Sequence, residues 1–175
     1  MRNFLTYLGL FLVAVVAVQL FVLDSIRVSI YFSPLAYIAF VALLPVGMRP
    51  VAVLLLGFAT GVFIDLFEGT GGAHTVATLL TAYTRRWIMI ATMGHETVDE
   101  ETSMPSIRSL DTGRFMRYAA LIVVFHCLAY FTLEALTFAN YHLVLMKIAV
   151  SGVFTLLAVL AISLLFTVKP NNKRG

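Results

Sequence analysis

Gly57-Phe58-Ala59-Thr60-Gly61-Val62-Phe63-Ile64-Asp65-Leu66-Phe67-Glu68-Gly69-Thr70-Gly71-Gly72-Ala73-His74 is the stretch on which the reading of this chain turns. Gly57, Gly61 and Asp65 recur at steps of four, so a helix carries all three on one face. Two glycines at that spacing let another helix backbone approach closely, as in small-residue packing between membrane helices. Asp65 follows one turn later. A carboxylate in apolar surroundings is costly and is a functional candidate by default, and negative charge near a helix C-terminus is electrostatically unfavourable. Two readings stand: a functional intramembrane acid, or a group at the water boundary that hydrogen-bonds the loop. Gly69, Gly71 and Gly72 signal a turn that lets Ala73-His74 open the next helix. Without a Lys-Ser/Thr pair or a preceding strand, this glycine-rich turn is not a phosphate loop.

The composition around this stretch sets the class. Of 175 residues, 61% are hydrophobic and only 12% charged, against about 45–50% and about 25% in ordinary soluble domains. With a mean hydropathy of +0.96, the chain reads as an integral membrane protein rather than a disordered or soluble one. A spanning helix needs roughly 20 mostly apolar residues. Six candidates meet or approach that length: Phe4–Leu23, Tyr31–Gly47, Val51–Phe67, His74–Thr92, Phe115–Phe138 and Leu143–Val168. The expectation is therefore an all-α, polytopic bundle of six transmembrane helices in one domain, 1–175. The second and third segments should form a tight hairpin broken before Pro50, since proline disfavours helix at the residue ahead of it. The first segment reads as a span and not a cleavable signal peptide, because its apolar run is long, lacks a small-x-small site and ends at Asp24.

Orientation follows from the cations. With the N-terminus inside, ten of the twelve Lys and Arg fall on the inner side: Arg2, Arg49, Arg85, Arg86, Arg108, Arg114, Arg117, Lys169, Lys173 and Arg174. Only Arg27 and Lys147 fall outside. The positive-inside rule then places both termini in the cytoplasm. The longest polar stretch, Met93–Arg114, is too short for a folded catalytic domain, and its acidic residues read as a solvated loop. Arg85-Arg86-Trp87 reads as an interface anchor, with basic heads at the headgroups beside an amphipathic ring. Residues 25–32 alternate polar and apolar and suggest a short interfacial extension before Pro34.

Other polar groups collect toward the outer half. His126, Tyr130 and Glu134 share a face at i, i+4 and i+8. Glu134 and Lys147 either pair across their hairpin or snorkel to water separately. Together Asp65, Glu68, His74, Glu134 and Lys147 suggest an outward-facing cleft or a partner-docking surface. His95-Glu96 lacks a second histidine at i+4, and no H-E-x-x-H or G-x-S-x-G motif occurs. Cys127 is the only cysteine. No metal, cofactor or catalytic group is expected, and the basic residues are too dispersed for nucleic-acid binding.

The run Gly57–Gly72, followed by a small-residue helix with Ala77, Ala82 and Tyr83, resembles the MreD family of bacterial rod-shape-determining membrane proteins. Chain length, hydropathy and the basic C-terminal tail agree with it. The resemblance implies a bundle similar to the S components of energy-coupling-factor transporters, in the bacterial inner membrane. It also implies a non-enzymatic part in the cell-elongation complex that directs peptidoglycan synthesis and cell shape. The implied partners are the single-span MreC, RodA and its class B penicillin-binding protein, with the actin-like MreB reached indirectly. On that reading the Gly57/Gly61 groove receives the partner's span, and Asp65, Gly69, Gly72 and His74 carry the motif. The long inner loop departs from the family pattern, and His126 and Glu134 belong to no motif of it. The competing expectations are a substrate-binding subunit of a vitamin-type transporter and, behind it, a handler of lipid-linked precursors.

Overall fold

The computed structural model describes residues 2–19, 33–95, 98, 104–106, 110–135 and 141–166. Within these the chain is helical and contains no strand. The helices are α1 (Arg2–Ala17), α2 (Ile38–Ala42), α3 (Pro50–Glu68), α4 (Ala73–Met93), α5 (Thr112–Ala135) and α6 (Tyr141–Phe166). Three of them, α3, α5 and α6, are long and apolar enough to cross a membrane. At about 1.5 Å per residue, the 19 residues of α3 reach about 28 Å, close to the ~30 Å hydrocarbon core. Arg27, the 25–32 extension, Glu96, Asp99, Glu100, Glu101, Arg108, Lys169, Lys173 and Arg174 lie outside the described residues.

Local chemistry sets the helix ends. Pro50 occupies the first turn of α3, where its missing N–H costs nothing. Gly69 closes that helix in the left-handed region, at φ 68°, and donates to Asp65 O at 2.8 Å. The Asp111 carboxylate accepts from the amides of Gly113 and Arg114 and so caps α5. α4 runs antiparallel to α3 and packs along both α3 and α5, and α5 packs on α6.

The segment expected as the second span is different. Residues 33–47 do not form one continuous helix; among them only the five residues of α2 are helical, with irregular backbone on either side, and residues 31 and 32 lie outside the described residues. Pro34 and Pro45 bracket it, and Leu35 through Val46 are buried. α2 touches each of the other five helices and forms the centre of the core. Irregular backbone survives at membrane depth only where it is enclosed by protein and its polar groups are bonded. Side chains from four elements do that here. Gln19, just past α1, accepts from Ala36 N at 2.8 Å and donates to Pro34 O at 3.1 Å. Ser151 and Thr155 of α6 accept from Ser33 N and Leu35 N at 3.0 and 2.9 Å. At the other end Tyr118 of α5 donates to Ala42 O at 2.7 Å, and Arg85 of α4 donates to Leu44 O.

Candidate functional site

The glycine face of α3 is already filled. A methyl group on Gly61 would lie 2.5 Å from Thr75 Cα, and one on Gly57 would lie 3.0 Å from Ala82 Cβ. The close approach these glycines permit is used by α4 of the same chain, so no groove remains there for a partner's span. That corrects the expected docking role of Gly57 and Gly61: a hairpin partner joined through the short Gly69–Gly72 turn wins the surface.

The same approach explains the position of Asp65. Gly72 precedes α4 at φ 101° and offers no capping side chain. Asp65 supplies the cap from the neighbouring helix, accepting from His74 N at 3.1 Å and Thr75 N at 2.8 Å. The hydroxyls of Thr70 and Thr75 also donate to it. These amides are the second and third of α4, the ones an N-cap side chain normally serves. The electrostatic penalty at the C-terminus of α3 is offset by the positive end of α4. Of the two readings of Asp65, the geometry favours the loop-bonding one.

Below this cap a chain of polar groups runs into the core. Tyr37, next to α2, is hydrogen-bonded through its hydroxyl to His74 Nδ1 at 2.8 Å and to His126 Nε2 at 2.7 Å. His126 Nδ1 lies 3.0 Å from Thr81 Oγ1, whose proton goes to Ala77 O at 2.8 Å. The donor sequence follows from that last bond. Thr81 has spent its proton, so with His126 neutral its Nδ1–H donates to Thr81 and its Nε2 accepts from Tyr37. The Tyr37 oxygen then accepts from His74 Nδ1–H. This leaves His74 Nε2 facing Glu68 Oε2 at 3.4 Å. Buried there, His74 Nε2 makes no hydrogen bond among the described residues. Tyr37, His74 and His126 are fully buried.

The outer groups are partly united. Tyr130 stacks on His74 with ring centroids 4.2 Å apart, and it lines an open recess of about 490 Å³ with Thr70, Gly71, Gly72 and Glu134. Lys147 donates to Glu134 Oε2 at 2.6 Å and sits over the Phe131 ring, so the two ions pair across the α5–α6 hairpin. Asp65 is engaged with the start of α4 instead of lining the recess. Gly69 shapes the turn but has nothing within reach of a substituent.

Arg85 corrects another expectation. Arg86 and Trp87 are exposed, but Arg85 is only 3% exposed and points inward. Its Nε donates to the Tyr118 hydroxyl at 3.1 Å, and a terminal nitrogen donates to Leu44 O. The signal for this was present: His74, Thr78, Thr81 and Arg85 stand at i, i+4, i+7 and i+11, one polar stripe on one helix face. Tyr37 and Gln19 had no such signal, being solitary polar residues in apolar runs. No group of three or more His, Cys, Asp or Glu side chains placed to hold a metal occurs among the described residues. Compared with known proteins, the chain matches no family model, no curated protein sequence and no solved structure.

Proposed function

We propose that this chain is a multi-pass scaffold of the bacterial inner membrane, of the MreD type, with six membrane crossings and both termini in the cytoplasm. Its task on this reading is non-enzymatic: it binds an MreC-like single-span protein and, directly or through it, RodA and a class B penicillin-binding protein. MreB is coupled indirectly, and cell-wall synthesis is thereby tied to rod shape. The observation that carries the reading is how the interior chemistry is used. The motif Gly57–Gly72 builds a hairpin, and the buried Tyr37, His74, His126 and Gln19 bond one another or the chain's own backbone. Function then falls to the exposed apolar helix faces, where a partner's span packs through side-chain contact rather than in the glycine groove.

The recess beside Tyr130 and Glu134 favours a second reading, a substrate-binding subunit of a vitamin-type transporter. One experiment separates the two. The tagged protein is purified from its own cells in mild detergent, and mass spectrometry identifies the proteins and small molecules recovered with it. A single-span protein with an extracytoplasmic domain, together with peptidoglycan synthases, supports the scaffold. An ATPase pair and a bound vitamin overturn it.

A further inference from the structure

We propose that the cleft beside Arg85 binds the phosphate group of an anionic phospholipid. The inference stands on a buried charge with no counter-charge among the described residues. Arg85 is 3% exposed, and its two hydrogen bonds go to neutral acceptors, a tyrosine hydroxyl and a carbonyl. A guanidinium carries five N–H donors, so most of its capacity is left. Of the described carboxylates, Glu134 pairs with Lys147 and Glu68 faces His74, and neither is placed against Arg85. His74 lies eleven residues earlier on α4, about 16 Å away at ~1.5 Å per residue. A cation held this deep in a membrane bundle is costly unless an anion reaches it.

The surroundings say which anion. Arg85 lines an open cleft of about 260 Å³, together with Leu54, Tyr83, Arg86, Trp87 and Met89. That is just below the ~300–1,000 Å³ of ordinary small-molecule sites. It suits a phosphate and a small headgroup, with the acyl chains outside. Trp87 and Tyr83 are 69% and 64% exposed on the same helix, and such amphipathic rings settle at headgroup level. Leu54 and Met89 give the wall an apolar side that a free ion would not use but a lipid would. Basic pockets between membrane helices are known sites for anionic headgroups. Bound phosphate would complete Arg85 while Arg85 holds Leu44 and Tyr118, so the lipid would also brace the central segment. The site does not depend on the scaffold role or on which leaflet it meets.

The test uses the full chain in a neutral detergent, with melting followed as phosphatidylglycerol, phosphatidylcholine or inorganic phosphate is added. Lipid retained after purification is identified by native mass spectrometry. The expected result is that phosphatidylglycerol stabilises at least tenfold lower concentration than phosphatidylcholine, with inorganic phosphate inactive. Arg85→Gln should abolish that preference. So should Leu54→Trp, which fills the cleft and leaves the bonds of Arg85 in place, and which decides the matter if Arg85→Gln does not fold. Equal effects of the two lipids, or a preference unchanged in Leu54→Trp, would overturn the proposal. Stabilisation by inorganic phosphate to the same extent would overturn the lipid assignment in favour of a free anion.

Discussion

Adding one carbon to each glycine of α3 should produce very different results at the two positions. At Gly57 the new methyl meets the Ala82 side chain at 3.0 Å, a few tenths of an ångström too close. The helix gains about 0.5–1 kcal/mol from the Gly→Ala change itself, so Gly57→Ala should stay within about 1 kcal/mol of the parent. At Gly61 the new methyl would lie 2.5 Å from Thr75 Cα and 2.9 Å from Thr75 N. Those are backbone atoms with no rotamer to yield. The first turn of α4 must move away by about 1 Å, an overpacking cost of about 1–3 kcal/mol. The same movement pulls His74 N and Thr75 N from Asp65, a cap worth about 1 kcal/mol. After the helix gain is subtracted, Gly61→Ala should cost about 1–3 kcal/mol.

The assay is reversible unfolding of the purified protein in detergent, followed by circular dichroism, with no partner present. That condition matters, because a partner-docking groove would leave the isolated protein unaffected by either substitution. Equal stability of Gly61→Ala and Gly57→Ala in isolation, together with loss of a co-purifying span from Gly61→Ala alone, would refute the intramolecular reading.

Tyr37→Phe removes the hydroxyl between two buried histidines and leaves His126 Nε2 and His74 Nδ1 without it; a loss of about 2–3 kcal/mol is expected in the same unfolding assay, and a change under 0.5 kcal/mol would count against the chain of bonds. Gln19→Leu strips the partners from Ala36 N and Pro34 O, so peptides covering residues 33–46 should exchange amide hydrogen at least tenfold faster while those of α3 are unchanged. Glu134→Gln breaks a half-exposed ion pair and should cost no more than about 1 kcal/mol; a larger loss would mean that the pair is part of the core.

How much of this was legible beforehand depends on whether a residue's environment is set locally. The boundaries of α3 and α4 fall within one residue of their expected positions, because Pro50 and the Gly69–Gly72 turn punctuate them in the sequence. The central segment was not legible. Leu35 to Val46 has the composition of a spanning helix, and a buried apolar run carries no periodicity that separates helix from enclosed irregular chain. Its conformation rests on Gln19, Ser151, Thr155, Tyr118 and Arg85, which lie up to 120 positions away. Asp65 was recognisable as anomalous, yet its partner amides belong to a helix whose approach only the three-dimensional packing determines. Arg85 groups with Arg86 and Trp87 as a basic pair beside tryptophan, which hides that it also continues the inward polar stripe of His74, Thr78 and Thr81.

These contacts share a physical role that bears on any genetic test of function. Lipid tails are as apolar as leucine, so apolar burial cannot by itself choose between helices packed together and helices apart. Close backbone approach and directional polar bonds must make that choice. Here they sit at the α3–α4 hairpin, around the central segment and along the His74–Tyr37–His126 chain. A cellular defect from Gly61→Ala or Tyr37→Phe therefore reports loss of the fold before it reports loss of a partner. Positions such as Leu66, 77% exposed, and Phe58, 48% exposed, carry no such duty. A substitution there that leaves unfolding unchanged but reduces recovery of a co-purifying single-span protein would locate the contact face of the proposed scaffold. Recovery unchanged after substitution of each exposed face of α3, α5 and α6 would instead remove the basis for a scaffold built on helix packing.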